Sequence, residues 1–520
     1  MQNIINYLKK EIENLELEPQ QKEIGEVLEV KDGTALISGL QNVESLEIIK
    51  FKPSLKQDSE KNKAEQSNKE DLFGLALNLE ENQVGSVALC DFSKIQEGDI
   101  VERTKKVLSC PVGEKLIGRV VNPLGKPLDG KGEIKTEKSY PLEKIGPSVI
   151  DREPVNFPLH TGLKVVDALV PIGRGQRELI LGDRITQKTS LTIDAILNQK
   201  NEPKRPICIY VAVGKREGEI ARILDTLKKN GAMDYTIVVA AASSDPAAFW
   251  YLAPYAGMAI GEYFMDQGKD ALVIFDDLTK HAWAWRQISL VLKRAPGREA
   301  YPGDIFYLHS RLLERAGKLN KEKGNGSLTA LPIIETQAGD ITAYIPTNVI
   351  SICDGQIFMD TSLYLKGQRP EMNVGLSVSR VGSAAQTKAI KKVAGTLKLE
   401  LAQFQELESF LEFAEEVDPE TQKRIERGKR MKEILKQDTL SPLSFEKQTA
   451  IIFAGVKGLL DQAKVEDIKK IEKDLFEYIE TQKPEIFKKI RETGDLDENT
   501  EKDLEKIIRE VLKNYTGNFK

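Results

Sequence analysis

The chain has 520 residues, 40% of them hydrophobic and 30% charged, with 75 basic against 80 acidic side chains. That length is too great for one core and predicts about two to four domains, while the near balance of charge excludes the global footprint of a nucleic-acid binder. No apolar run reaches the roughly 18 residues of a membrane span, and Cys90, Cys110, Cys208 and Cys353 stand too far apart for zinc pairs or a disulfide framework. His160, His281 and His309 form no metal-ligating spacing. No signal-peptide core precedes Lys9-Lys10, so a cytoplasmic protein is expected.

In the N-terminal segment, residues 1–21, the positions Ile4, Ile5, Leu8, Ile12 and Leu15 have helical spacing. They predict a short amphipathic helix, either a terminal cap or a docking segment. Strand patterns dominate residues 22–102. Val27–Val30 and Thr34–Ile37 flank Lys31-Asp32-Gly33, a hairpin signal, and the segment reads as a small β barrel. Residues 54–71 interrupt it with a run composed almost wholly of Lys, Glu, Asp, Gln, Asn and Ser, too polar to pack and therefore a surface insertion.

Residues 103–386 alternate apolar and helical stretches, which predicts an α/β core around a largely parallel sheet. The strand candidates are Cys208–Val213, Tyr235–Ala242, Ala271–Phe275, Leu331–Ile334 and Val349–Phe358. Trp250, Trp283 and Trp285 are expected to pack rather than stack on a ligand. Over residues 387–520 glycines thin out, and Phe404, Leu407, Leu411 and Ala414 share one helical face, predicting a helical C-terminal domain.

Gly182-Asp183-Arg184-Ile185-Thr186-Gln187-Lys188-Thr189, followed by Ser190, matches the phosphate-loop pattern G-x-x-x-x-G-K-[ST] except at its second glycine. In that pattern backbone N–H groups curl around a triphosphate, Lys reaches the β/γ-phosphates and the hydroxyl holds Mg²⁺. The apolar Arg177–Leu181 before it and the helical Ser190–Leu197 after it supply the strand, loop and helix that the motif needs. Gln187 adds a Cβ and a long side chain where backbone and phosphate approach closely. The expectation is a site for ATP or ADP with Mg²⁺, weakened by Gln187. The strand Asp270–Asp277 ends in two carboxylates, and Asp276 is the candidate to hold the same Mg²⁺ through water.

Barrel, phosphate-loop core and helical tail, in this order, resemble the α and β subunits of the rotary ATP synthase head. Gly173–Ile180, Asp276–Lys280, Pro296–Asp304, Tyr307–Arg315 and Val374–Gln386 are similar to the α subunit in particular. The resemblance implies a barrel, a RecA-like domain and a helical bundle. It also implies a hexamer in which this chain alternates with catalytic β-type subunits around a γ-type shaft, with Pro296–Asp304 at the shaft bearing. The N-terminal segment would reach a peripheral stalk, and the chain would meet a membrane only through the complex, on its cytoplasmic face.

For the site, the resemblance implies a nucleotide that turns over little, its adenine framed by Tyr364, Arg369, Pro370 and Gln437. Thr439 stands where a second glutamine is usual, Glu371 where a small residue is usual, and Ile185 where the α loop has glutamine. Lys215 occupies the place of the glutamate with which β subunits orient water, and an ammonium cannot accept that proton at neutral pH. Glu217 and Glu219 lie close by in sequence. Within Ser377-Val378-Ser379-Arg380, Arg380 matches an arginine finger that acts in the neighbouring subunit, with Ser377 beside it. Two other readings stand against this one: a self-sufficient homohexameric secretion or helicase motor, and an ATP-synthase-like head that drives another machine.

Overall fold

Asp32 and Gly33 both take positive φ, 45° and 82°, the two-residue turn geometry whose twist matches paired strands. It joins β1 (Ile24–Lys31) to β2 (Thr34–Gly39), and with β3 (Glu47–Lys52), β4 (Leu72–Leu79), β5 (Gln83–Ala88) and β6 (Ile100–Val107) they close a barrel in the order β1-β2-β5-β4-β3-β6. Alternate residues turn inward, and Val27, Ile37, Ile49, Phe51 and Val101 fill the interior. The computed structural model describes residues 23–52, 72–411 and 418–515; the helix expected at 4–16, the insertion at 54–71 and Ala414 lie outside them.

A second compact unit begins at Ser109, with residues 291–293 grouped with the barrel instead. Its β7 (Ser109–Val112) and β9 (Lys138–Pro141) form an antiparallel ribbon. The main sheet takes β8 (Val120–Val121), β10 (Leu179–Asp183), β11 (Ile207–Lys215), β12 (Thr236–Ala242), β13 (Asp270–Asp276), β15 (Ser327–Thr336), β16 (Gly355–Met359) and β17 (Val378–Ser379). Their order is β17-β16-β10-β15-β13-β11-β12-β8, with β14 (Gly317–Lys318) paired antiparallel to β15. All pairs from β16 to β8 are parallel. β11 is buried over eight consecutive residues from Cys208 to Lys215, as a central strand covered on both faces must be.

The strand expected over Val349–Phe358 divides in two. Ile345, Val349 and Ile352 are the buried face of a helix, Tyr344–Ile352, and only Gly355–Met359 is strand. The apolar spacing that begins at Ile345 is helical, and the segment starting at Val349 is too short to reveal it.

From Lys388 onward the described residues form helices up to Leu512. Leu504, Ile507, Ile508, Val511 and Leu512 make the buried stripe of the last one, whose first turn is capped by the Asp497 side chain. These helices share one hydrophobic core with the sheet, in which Val166 and Ile180 belong with Ile434, Ile451 and Ile471.

Between helix Ala247–Asp266 and the residues after helix Ile305–Leu313, the Arg315 guanidinium grips the Glu262 carboxylate through two bonds of 2.9 and 2.6 Å, both side chains about 1% exposed. Removing one partner strands a buried charge. Glu262→Ala is expected to destabilise the unit by about 3–5 kcal/mol in urea unfolding, and a loss below about 1 kcal/mol would show that water reaches Arg315.

Candidate functional site

The carboxyl ends of β10, β13 and β11 converge on one edge of the sheet, where open α/β folds bind ligands. At the end of β10 the chain passes so close to β16 that a Cβ on Gly182 would lie 2.5 Å from the Met359 carbonyl oxygen. Asp183 is braced by Thr336 Oγ1 at 2.7 Å, the Gly339 N–H at 2.8 Å and Thr361 Oγ1 at 2.7 Å. Arg184 and Ile185 form the exposed loop tip, and Thr186 turns back to the Asp183 carbonyl. Gln187 follows with φ −86° and ψ 43°, outside the left-handed region that favours glycine.

Helix Lys188–Asn198 starts at once. Lys188 Nζ donates to the Asp183 carbonyl at 2.5 Å and to Thr186 Oγ1 at 3.2 Å, and burial lowers its pKa against the pull of Glu335, Asp276 and Asp277. Thr189 Oγ1 donates to Asp276 Oδ2 at 2.6 Å, as does the Tyr210 hydroxyl at 2.6 Å. Gly214, at φ +59°, ends β11 with a register shift that turns Lys215 back toward the loop. Lys215 Nζ then reaches Asp276 Oδ1 at 2.9 Å and Thr189 Oγ1 at 3.5 Å. Burial alone would raise the Asp276 carboxyl, but Lys215 and the hydrogen bonds from Thr189 and Tyr210 outweigh it and hold it below the ordinary aspartate value. The neighbouring Asp277 is pushed up by burial, against its pairing with Lys280 at 2.6 Å.

A cavity of about 730 Å³ opens over this cluster, lined by loop residues Arg184 to Ser190 apart from Ile185, and by Lys215, Asp276 and Lys280. Glu219 and Glu335 also line it, whereas Glu217 is exposed and accepts from Ser244 Oγ at 3.1 Å. Trp283 lines the cavity as well, contrary to the packing role expected of it, because it lies on the open face of helix Leu278–Val291. Trp285 does pack, stacked on Tyr251 at 4.9 Å, and Trp250 donates to the Ala242 carbonyl at 2.8 Å.

Of the residues expected to frame an adenine, Pro370 and Gln437 line a slot that shares Gln187 and Ser190 with this cavity, and Tyr364, Arg369 and Gln437 are engaged with the protein. Pro370, Gln437 and Thr439 border this slot of only about 10 Å³, together with Gln187, Asp194 and Glu371. The Gln437 amide accepts from the Lys164 N–H at 3.0 Å and donates to the Gly162 and Ser441 carbonyls at 2.7 Å each. The Arg369 guanidinium lies 3.9 Å from the Tyr364 ring centre and donates to the Tyr364 carbonyl. A base could enter only if these contacts parted.

Arg380 and Ser377 stand apart from the cavity, around β17. Ser377 is fully buried, accepting from the Phe358 N–H at 3.0 Å and donating to the Asn373 carbonyl at 2.6 Å. Arg380 is exposed, its main-chain N–H tied to the Asp354 carbonyl at 2.8 Å, and among the described residues no hydrogen bond or ion pair holds its guanidinium.

The cradle under Gly182 and the cavity volume suit a polyphosphate. Thr189 and Asp276 are hard oxygen donors of the kind Mg²⁺ takes together with phosphate oxygens and water, and they fit that ion, although Lys215 competes for the carboxylate. Strand, loop, helix and a second acid on the sheet edge define a phosphate-loop nucleotide-binding core. The ATP synthase alpha/beta family models match along the chain: the beta-barrel domain over residues 20–105, the nucleotide-binding domain over 162–379 and the C-terminal domain over 386–511. The chain is 54% identical over 515 residues to the ATP synthase subunit alpha of Aquifex aeolicus, covering 99% of this chain and 98% of that one. It is 55% identical over 491 residues to that of Petrotoga mobilis, covering 94% of each, and 53% identical over 512 residues to that of Clostridium botulinum, covering 98% of each. The chain belongs to the ATP synthase alpha/beta family, among its alpha subunits.

Asp194 was not among the expected site residues, though a lone acid inside Leu191–Leu197 is the signal of a buried charge. It sits about 1% exposed at the slot, with Oδ1 unpartnered and Oδ2 accepting from the Leu440 N–H at 3.2 Å. Burial pushes its pKa up to about 7, against the Leu440 and Ser441 N–H groups. The folded state therefore keeps a proton that the unfolded chain loses above about pH 4, and stability falls by up to about 1.4 kcal/mol per unit as pH rises through that window toward 7. Between pH 5 and pH 8, Asp194→Asn is expected to gain about 2–3 kcal/mol relative to the unaltered chain in urea unfolding; parallel pH profiles would show that the carboxyl is charged in the fold.

Proposed function

We propose that this chain is the noncatalytic, α-type subunit of a hexameric rotary head, alternating with catalytic β-type subunits around a γ-type shaft. The observation that carries the reading is Lys215 bound to Asp276. A catalytic pocket needs a carboxylate that orients water at that strand end, and here the position holds an ammonium already paired with the acid beside the phosphate loop. Its own pocket is a structural or regulatory site for ATP or ADP with Mg²⁺, in which Thr189 and, through water, Asp276 hold the ion while Lys188 faces the phosphates. The bound Mg²⁺ would neutralise phosphate charge.

Arg380 is the chain's contribution to chemistry. An exposed guanidinium with no hydrogen bond or ion pair among the described residues is available to a neighbouring subunit, where its planar fork can grip phosphoryl oxygens as charge develops on them, an effect worth about 10³ to 10⁵ in rate for arginine fingers. The name borne by the relatives, ATP synthase subunit alpha, supports the same assembly. We place the head on the cytoplasmic face of a membrane complex, with segment 1–21 toward a peripheral stalk and domain limits at 22–102, 103–386 and 387–520. Among the described residues no helix is long and apolar enough to cross a membrane.

Purified alone, the chain is expected to show no steady ATP turnover, and adding the β-type partner should supply it. Robust turnover by the isolated chain, abolished by Lys188→Ala, would favour a self-sufficient motor. In the assembled complex Arg380→Lys should preserve assembly yet lower kcat by orders of magnitude, because a point ammonium cannot reproduce the two-pronged contact. Lys188→Ala should lower kcat far less, and the reverse ranking would place the chemistry in this chain's own pocket.

A further inference from the structure

Gln187 and Glu371, two departures from the α-type pattern, are 184 positions apart in sequence and meet in space, the Gln187 N–H donating to Glu371 Oε1 at 2.5 Å. Glu371 is fully buried, and among the described residues its Oε2 has no hydrogen-bond partner. Gln187 is the residue immediately before helix Lys188–Asn198. Its N–H belongs to the positive end of that helix, the end a phosphate loop offers to polyphosphate. The second phosphate-binding group is also turned inward, since Lys188 Nζ is spent on the Asp183 carbonyl and Thr186 Oγ1.

We propose that Glu371 sets the affinity of this pocket: an internal carboxyl group that occupies a phosphate donor at the helix start and weakens the binding of anionic polyphosphates. The inference rests on reading the loop as a nucleotide site. It differs from simple obstruction by the Gln187 side chain, because the group aimed at the donor is the carboxyl of another segment. A phosphate entering here must displace the Glu371 acceptor and then lie beside its Oε2, a buried oxygen with no hydrogen-bond partner among the described residues. Both demands cost affinity.

The test is a fluorescence titration of the full-length chain with trinitrophenyl-ATP and Mg²⁺, with thermal melting to establish that each variant is folded. Glu371→Gln keeps the shape and an acceptor while removing the charge, and Glu371→Ala restores a small residue. Each is expected to bind about ten- to a hundredfold more tightly than the unaltered chain, the scale of one charged hydrogen bond. Gln187→Gly, which keeps the backbone N–H that Glu371 occupies, should by itself change binding little. The proposal is overturned if Gln187→Gly tightens binding while both Glu371 variants leave it unchanged, or if the unaltered chain binds as tightly as Glu371→Gln. If no variant binds, the nucleotide-site reading fails and takes the proposal with it.

Discussion

The ion pair between Lys215 and Asp276, 2.9 Å long and buried on both sides, ties the carboxyl end of β11 to that of β13 and draws Thr189 and Tyr210 onto the same carboxylate. Three segments of the sheet edge thereby depend on one acid. Deep burial would ordinarily protonate such a group, and the ammonium keeps it ionised. In the proposed reading, that cation occupies the position where a catalytic pocket needs an acceptor for water's proton. Removing either partner would leave a buried, uncompensated charge, a far larger penalty than the pair's net contribution to stability.

The same economy runs through the rest of the pocket. Lys188 rests on the Asp183 carbonyl, Gln187 gives its N–H to Glu371, and the Gln437 amide spends its groups on Lys164, Gly162 and Ser441. Each satisfied donor must be freed before a ligand can use it, so affinity here depends on how readily internal bonds exchange for ligand bonds. Arg380 is the contrast: a guanidinium left exposed at the end of a short edge strand. The chain holds the groups of its own pocket inward and leaves Arg380 facing outward.

Local features of this design were legible in the residues. The Asp-Gly turn announced the first barrel hairpin, and the flanks of Gly182–Thr189 announced strand, loop and helix, because short-range periodicity and backbone conformation decide those elements. Val349–Ile352 misled because an apolar run of four cannot distinguish a strand from a helix whose face begins at Ile345. What could not be read was pairing over distance. Nothing in the sequence says that Glu371 meets Gln187, that the Gln437 amide is already committed, or that the hydroxyl of Ser377 is spent on the backbone, since each depends on how the sheet order brings remote segments together.

The proposed division of labour between a noncatalytic pocket and Arg380 is tested most directly by determining the structure of the assembled head trapped with ADP, Mg²⁺ and aluminium fluoride, a mimic of the transferring phosphoryl group. The expected result is the mimic in the β-type subunit with the Arg380 guanidinium within hydrogen-bond distance of it, and the Lys215–Asp276 pair intact in this chain. A mimic bound against Lys188 of this chain, with Lys215 withdrawn from Asp276 and Arg380 pointing elsewhere, would contradict it.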